Sequence, residues 1–478
     1  MKKLFLSLAF IASAFMLNAQ TIFNGGIYTN TTLTLANSPY LMTGSVVVFP
    51  GVTLTIEPGV EVRVEKFSNN ATVPYTLEVR GALYMVGQPG LPITFVGDTT
   101  GTAQDTWNGI YIKNGQGGQL LGFDYVNISN AYQSVGYEST TTDVFDLHDC
   151  NFKYNGTGIN VTTSVTADNC TFIGNGAGIS GWSNFTLTNC ILDSNNSALS
   201  IYPTAVSMKN CQLNYNNIGL GFNASVFSSM LLDSSTFTHN NLAVYAPNGG
   251  SITNCDFNNN VWALGYTYDL LVNNCSIQFN ELGIDAGSDV IVQNSDISNN
   301  LVGVGLGPIT FGMVMPLVQN NYICNNTQYN VENKTDLNLT LASNCFCESD
   351  STVIEEKIYD GYDDITRGLI SYAIYDSSCS TILQYVNKFP TSVEEIYASQ
   401  ISLQPNPATN YCSIVTSNLA GQNGFINISD ASGKTIYSQF INADRIDIAT
   451  DSFVAGVYHV SISADNNFIT HKKLVVLK

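Results

Sequence analysis

The chain has 478 residues, 37 of them acidic and 17 basic, for a net charge of -20. This length and a hydrophobic content of 44% allow several packed domains, while the negative balance argues against nucleic acid, anionic lipid and polyanionic glycans as partners. Only 11% of residues are charged, and Thr, Ser and Asn take the place of charge on the outside, as suits exposed sheet faces.

Met1-Lys2-Lys3, the apolar run from Leu4 to Leu17 and Asn18-Ala19-Gln20 read as a secretory signal peptide over 1–19. The run is too short and wrongly flanked for a membrane span. No other stretch is long enough to cross a bilayer as a helix, so the mature protein is expected to be exported and either soluble or surface-attached. From Ile22 to about Gly122 short strands are punctuated by Pro-Gly turns, as in Thr53-Leu54-Thr55-Ile56-Glu57-Pro58-Gly59-Val60.

Between Phe145 and Val304 one phrase recurs about every twenty residues, most clearly as Asn169-Cys170-Thr171-Phe172-Ile173-Gly174-Asn175. Its central slot is filled by Cys150, Cys170, Cys190, Cys211, Ser235, Cys255, Cys275 and Ser295, with Asn321 as a looser ninth member. One place earlier stand Asn169, Asn189, Asn210, Asn254, Asn274, Asn294 and, before the ninth slot, Asn320, with Asp149 and Ser234 in the remaining coils. Five places later the residue is always asparagine, from Asn155 through Asn175, Asn195, Asn216, Asn240, Asn260, Asn280 and Asn300 to Asn326. A fixed period of this length marks a stacked-repeat architecture. The Thr, Val, Ile and Phe content and the period-two alternation between asparagines are strand signals. At roughly 3.3 Å per residue, twenty residues make one coil of three short strands and their bends.

The inward parity slips by one at the asparagine before the slot. That residue is therefore expected to turn a corner in left-handed conformation, its amide forming a ladder from coil to coil. The plus-five asparagine is expected to make a second corner. The fold class is all-β: a right-handed parallel β-helix of three short strands per coil of about 20–24 residues, followed by a small antiparallel sandwich. Stacked cysteines have parallel Cβ vectors, which disfavours bridging, so Cys150 to Cys275 are expected to be small buried core residues. Cys345, Cys347, Cys379 and Cys412 lie outside the column, where one bridge among them is an open alternative to free thiols.

Three phrases, around Thr53–Val60, from Leu77 to Phe95 and at Trp107-Asn108-Gly109-Ile110-Tyr111-Ile112, resemble the opening coils of secreted bacterial β-helix proteins. Asn344-Cys345-Phe346-Cys347 and Ile358-Tyr359-Asp360-Gly361-Tyr362-Asp363-Asp364 resemble their closing segment, with Cys-Phe-Cys where that family usually has Trp-Trp-Gly. The β-helix is therefore expected over 20–379 and a linker over 380–399. Residues 400–478 carry Pro405-Asn406-Pro407, an Asp-x-x-Gly-Lys phrase at Asp430 to Gly433-Lys434, Gly456-Val457-Tyr458 and the terminal Lys473-Leu474-Val475-Val476. These four signatures resemble the type A C-terminal sorting domain of the type IX secretion system. The resemblance implies handling by that machinery, transport across an outer membrane, removal of the module, and release or surface attachment of the passenger.

Candidate chemistry is sparse. No arginine occurs between Arg80 and Arg367, so a polyuronate lyase would lack its usual base and cations. Hydrolysis needs paired carboxylates, and Asp146, His148 and Asp168 stack on one outward face. Asp360, Asp363 and Asp364 are candidate calcium ligands, set against a plainer role as turn and capping acids, because the Asp-x-Asp-x-Asp-Gly spacing is missing. Ten to twelve places after the slot, aromatics recur as Trp182, Tyr202, Phe222, Tyr245 and Tyr266. Facing outward they make a stripe on which neutral sugar rings stack; facing inward they are an ordinary aromatic stack. The expected function is thus non-catalytic, adhesive or glycan-binding, without a cofactor, and the alternative is a glycoside hydrolase or polysaccharide lyase built on the coil.

Overall fold

The computed structural model describes residues 20–66, 74–98, 106–113, 122–138, 144–201, 205–222, 229–308, 314–341, 344–372, 379, 401–416, 424–430, 434–464 and 467–478. The leader at 1–19, Tyr202, the linker at 380–399 and Gly433 lie outside them. Two compact units are formed, 1–386 and 387–478.

The first unit is a parallel β-solenoid of about 12 turns. A typical coil has a strand before the corner (Ser164–Asp168), one between the two corners (Thr171–Ile173) and one after them (Ala177–Gly181), each paired in parallel with its counterpart in the next coil. The between-corner strands stack into a 13-stranded sheet. The other two sheets are joined where Trp262–Asn273 runs unbroken from one to the other. Alternate residues fill the interior, and at plus two Phe152 and Phe172, and likewise Phe237 and Phe257, stack at 5.0 and 4.7 Å.

The first corner is as the sequence predicts: Asn169, Asn189, Asn210, Asn254, Asn274 and Asn294 all have φ between 53 and 55°. Their exposed amides bond along the stack, for example Asn274 to Asn254 at 2.7 Å. The second corner differs from expectation. Its left-handed residue is at plus four, where Tyr154, Gly174, Ser194, Tyr215, His239, Asn259, Phe279 and Asn299 have φ of 55–67°. The plus-five asparagine instead turns inward and is almost wholly buried. Its Oδ1 accepts both the main-chain N–H and the side-chain amide of the preceding rung, as Asn260 does from Asn240 at 2.9 and 3.0 Å, while Asn260 Nδ2 donates to the Phe237 carbonyl at 2.9 Å. The dominant ladder is therefore the buried one, because only inside do these amides replace bonds that water would otherwise make.

The slot-zero column obeys the same logic and explains its mixed composition. Each side chain accepts the N–H of the previous coil's slot: Cys150 N–H donates to Cys170 Sγ at 3.5 Å, Cys211 to Ser235 Oγ at 3.1 Å, and Ser295 to Asn321 Oδ1 at 3.0 Å. Each thiol or hydroxyl in turn donates to the carbonyl two residues back, Cys190 at 3.2 Å and Ser235 at 2.9 Å. Cys, Ser and Asn share an acceptor at the right reach, which is what the slot selects. Cys170→Ser is accordingly expected to stay within about 1 kcal/mol of the parent. Cys170→Ala leaves the buried Cys150 N–H unpaired and is expected to cost ~1–3 kcal/mol; denaturant midpoints of the two variants check this.

The column cysteines are unbridged. Among the four outlying cysteines one bridge forms, Cys345–Cys379, and a second, Cys324–Cys347, brings in a cysteine outside that group; their Cα separations are 5.3 and 5.7 Å, and Cys412 is free and buried in the second unit. Cys324 stands at plus three of the ninth coil, outside the column, and so escapes a reading based on the slot. The bridges tie this coil to the cap, where Phe346 packs edge-on against Tyr372 at 5.9 Å. A short helix follows, Ser351–Glu355, capped by Asp350 accepting the Thr352 N–H at 2.8 Å.

The second unit has a three-stranded antiparallel sheet of Ile401–Gln404, Tyr411–Thr416 and Arg445–Ala449. A four-stranded one comprises Thr435–Phe440, Phe425–Ser429, Gly456–Ala464 and Asn467–Val476. The motif residues are structural here. Asn406 Oδ1 accepts the Val475 N–H at 2.9 Å and its Nδ2 donates to the Lys473 carbonyl at 2.6 Å, so Pro405-Asn406-Pro407 is laced to the terminal strand. Lys434 N–H donates to Asp430 Oδ1 at 3.1 Å across the hairpin, Gly456 opens its strand opposite Val476, and Tyr458 is buried against Phe453 at 5.1 Å.

Candidate functional site

Two places on the outer faces gather chemistry. On the sheet before the corner, Asp124, His148 and Asp168 are in register on three consecutive coils, so the imidazole has a carboxylate one strand spacing, about 4.8 Å, to either side. Asp146 lies one column over, paired with Gly122 on one side and Thr166 on the other, and accepts the Thr166 hydroxyl. With no side chain at Gly122, a cleft of about 270 Å³ opens here, lined by Tyr84, Val86, Asp124, Asp146 and His148 among others. Asp168 also accepts the Asn189 amide at 3.0 Å. The structure thus brings Asp146, His148 and Asp168 together, and adds Asp124 and Tyr84. Asp124 was discoverable by extending the register one coil earlier, taking Tyr125 as corner and Val126 as slot zero; Tyr125 has the left-handed φ of 51° that the position demands.

The second place is on the sheet after the corners. Tyr266 lies 5.6 Å from Tyr245 and 5.5 Å from Trp262, ring centre to ring centre. Gly265 makes this possible: a Cβ there would come within 2.9 Å of the Trp262 ring and 3.7 Å of Tyr245. Tyr266 is 40% exposed, Tyr245 and Trp262 are half-buried. The aromatic stripe is therefore real over these two coils but is not continuous. Trp182 is exposed farther along the coil, and Phe222 is turned inward at 8% exposure, which removes it from any ligand surface. Trp262, at plus seven, was hidden from a count made at plus ten to twelve.

Beside the rings, Asp285 is buried and paired with Lys334 Nζ at 2.7 Å. Burial pushes its carboxyl above the usual carboxylate range, while Lys334 and the nearby Tyr266 main-chain N–H pull it back. Two residues, Gly265 and Tyr266, stand opposite the single Asp285, a β-bulge between the pairs Leu264 with Ile284 and Thr267 with Ala286. Farther along the same face Arg367 meets Glu332 at 2.9 Å and lies over the Tyr359 ring at 4.6 Å.

The calcium candidates are occupied otherwise. Asp360 is fully buried and accepts the Tyr362 and Ile370 N–H groups at 2.9 and 2.6 Å; Asp363 accepts the Asp360 N–H at 3.2 Å and Asp364 that of Thr366 at 2.9 Å. They are turn and capping acids, and their carboxylates do not converge on a common point.

Residues 402–477 match the secretion system C-terminal sorting domain family. The endo-acting ulvan lyase of Formosa agariphila is 30% identical over 118 residues, which is 24% of this chain and 22% of that protein. Among the described residues no helix is long and apolar enough to cross a membrane. The chain is a parallel β-solenoid of about 12 turns whose C-terminal unit belongs to the sorting domains of the type IX secretion system.

Proposed function

We propose that the protein is exported through its 1–19 leader, passed across the outer membrane by the type IX machinery, and presented outside the cell as a non-catalytic, glycan-binding solenoid. The observation that carries this reading is the cluster of Tyr245, Trp262 and Tyr266, three rings within 5.6 Å on one outward face. Rings so placed offer apolar faces for the C–H surface of a sugar, with hydroxyls and amides of neighbouring coils at hand for its hydroxyl groups. A glycan array probed with the full mature chain tests it. Trp262→Ala is expected to weaken the retained glycan about tenfold, equivalent to ~1.4 kcal/mol, with an unchanged thermal midpoint; equal binding by parent and variant would remove the platform from consideration.

A second reading, polysaccharide cleavage, is favoured by the relative named as an ulvan lyase and by the cleft beside His148. Incubation with ulvan, followed by ultraviolet absorbance for the unsaturated product of elimination and by reducing ends for hydrolysis, separates the two. Product from the parent chain that disappears in Asp146→Asn or Asp168→Asn would favour the enzyme.

A further inference from the structure

The platform sits beside the buried Asp285–Lys334 pair, and the details tie pair and rings together. Tyr266 is the extra residue of the bulge, held at φ 52°. An inserted residue leaves its main-chain amide without a ladder partner, and here the Asp285 carboxylate is the charge that faces the Tyr266 N–H. The Thr267 hydroxyl donates to the Asp285 carbonyl at 2.7 Å and fixes the other side of the bulge. Lys334 arrives from two coils on, across Gly305, where a Cβ would stand 2.8 Å from both its Cε and Nζ, and closes on Asp285 Oδ1.

Two cations along this face are paired internally. Lys334 is matched by Asp285, and Arg367 by Glu332 and, at 3.5 Å, by Asp364. Lys357 donates to the neutral Thr327 carbonyl at 3.0 Å. To reach Lys334 a uronate or sulfate arriving at the rings would have to break its pair with Asp285, and would meet the carboxylates of Asp285 and Glu332.

Taking the glycan-binding reading as its basis, we infer that the platform is selective for uncharged oligosaccharides, and that the Asp285–Lys334 pair is its positioning and specificity-determining element. The pair aims Tyr266 outward through the bulge and at the same time withholds Lys334 from anionic sugars.

The test uses the full mature chain in a Trp182→Phe background, where the remaining tryptophans are buried Trp107 and platform Trp262. Probes are cellohexaose and an oligogalacturonate of equal length, with acrylamide quenching of Trp262 as a ligand-free readout. The parent is expected to prefer cellohexaose by tenfold or more. Asp285→Asn keeps an acceptor for the Tyr266 N–H but releases Lys334, so oligogalacturonate binding should rise about tenfold while quenching stays near the parent value. Asp285→Ala removes both functions: quenching should rise, and cellohexaose binding should fall by about tenfold. Adding Tyr266→Ala to Asp285→Ala should bring no further loss. Should Asp285→Ala fold poorly, Lys334→Met reports instead, with both saccharides weakened. Unchanged selectivity in Asp285→Asn, or unchanged quenching in Asp285→Ala, overturns the assignment. Quenching that responds as expected in a protein binding neither saccharide overturns the glycan reading and leaves the positioning of Tyr266 standing.

Discussion

Asn260→Ala is expected to be among the most damaging single substitutions in the solenoid, lowering its stability by about 4–6 kcal/mol. The side chain makes three buried bonds that no solvent can replace: it accepts from the Asn240 main chain and side chain and donates to the Phe237 carbonyl. Truncation leaves two donors and one acceptor unpaired at roughly 1–3 kcal/mol each, and opens a small void between closely stacked coils. Asn260→Asp separates the contributions. It keeps both acceptor bonds but loses the donor to Phe237 and places a charge where exposure is 3%, so at neutral pH it is expected to be at least as costly. Its penalty should shrink as pH falls far enough to protonate the new carboxyl. Chemical denaturation of both variants across pH decides this; a loss below about 1 kcal/mol for Asn260→Ala would mean that the ladder is ornamental.

The second large effect is expected on delivery rather than folding of the coil. Asn406 stands in for a strand residue, bonded to Val475 and Lys473 of the terminal strand at 2.9 and 2.6 Å. The chain then continues the pairing through Ala408, whose N–H donates to Val475 O and whose carbonyl accepts Leu477 N–H, both at 2.8 Å. Two of the four sorting signatures are thereby one physical object, the last strand and the loop that holds it. Asn406→Ala is expected to release that edge and to abolish most surface display, with full-length protein retained inside the outer membrane. Asn406→Asp keeps the bond from Val475, loses that to Lys473, and should be intermediate. Protease shaving of intact cells and fractionation read the outcome, and normal display of Asn406→Ala would show that the machinery reads something other than this latch.

Much of the fold was legible because the features that specify it are repeated side chains. The left-handed corner at Asn169 and its equivalents, the inward phase of the strands and the unpaired cysteines all follow from one period. The second corner was misplaced by a residue because its left-handed position carries Tyr, Gly, Ser, His, Asn and Phe in different coils, so side-chain type gives no signal there. The backbone, pulled round by the buried asparagine next door, imposes the conformation. Candidate chemistry was less legible for a geometric reason. Register places Asp124 beside His148 only once the coil boundary at Tyr125 is known. Asp285 and Lys334 are 49 residues apart in the chain, and the bulge that joins them to Tyr266 is an exception to the period.

The buried ladder has a direction and an end. Each rung is satisfied by the coil that follows, until Asn326, whose Nδ2 donates to the preceding Ile297 carbonyl and also to Asn330 Oδ1 at 2.9 Å within the same loop. Asn330 thus supplies the rung that the next winding of the chain lacks, while the slot-zero column runs one coil further, to Asn344, which lies in register after Asn321 and accepts its N–H at 3.0 Å. Solenoid length is consequently decided by the terminator and not by the repeats. Duplication or loss of a whole interior coil by unequal recombination leaves every bond of both columns intact, so such lineages can lengthen or shorten the displayed surface in steps of one coil while keeping the same lid and the same address.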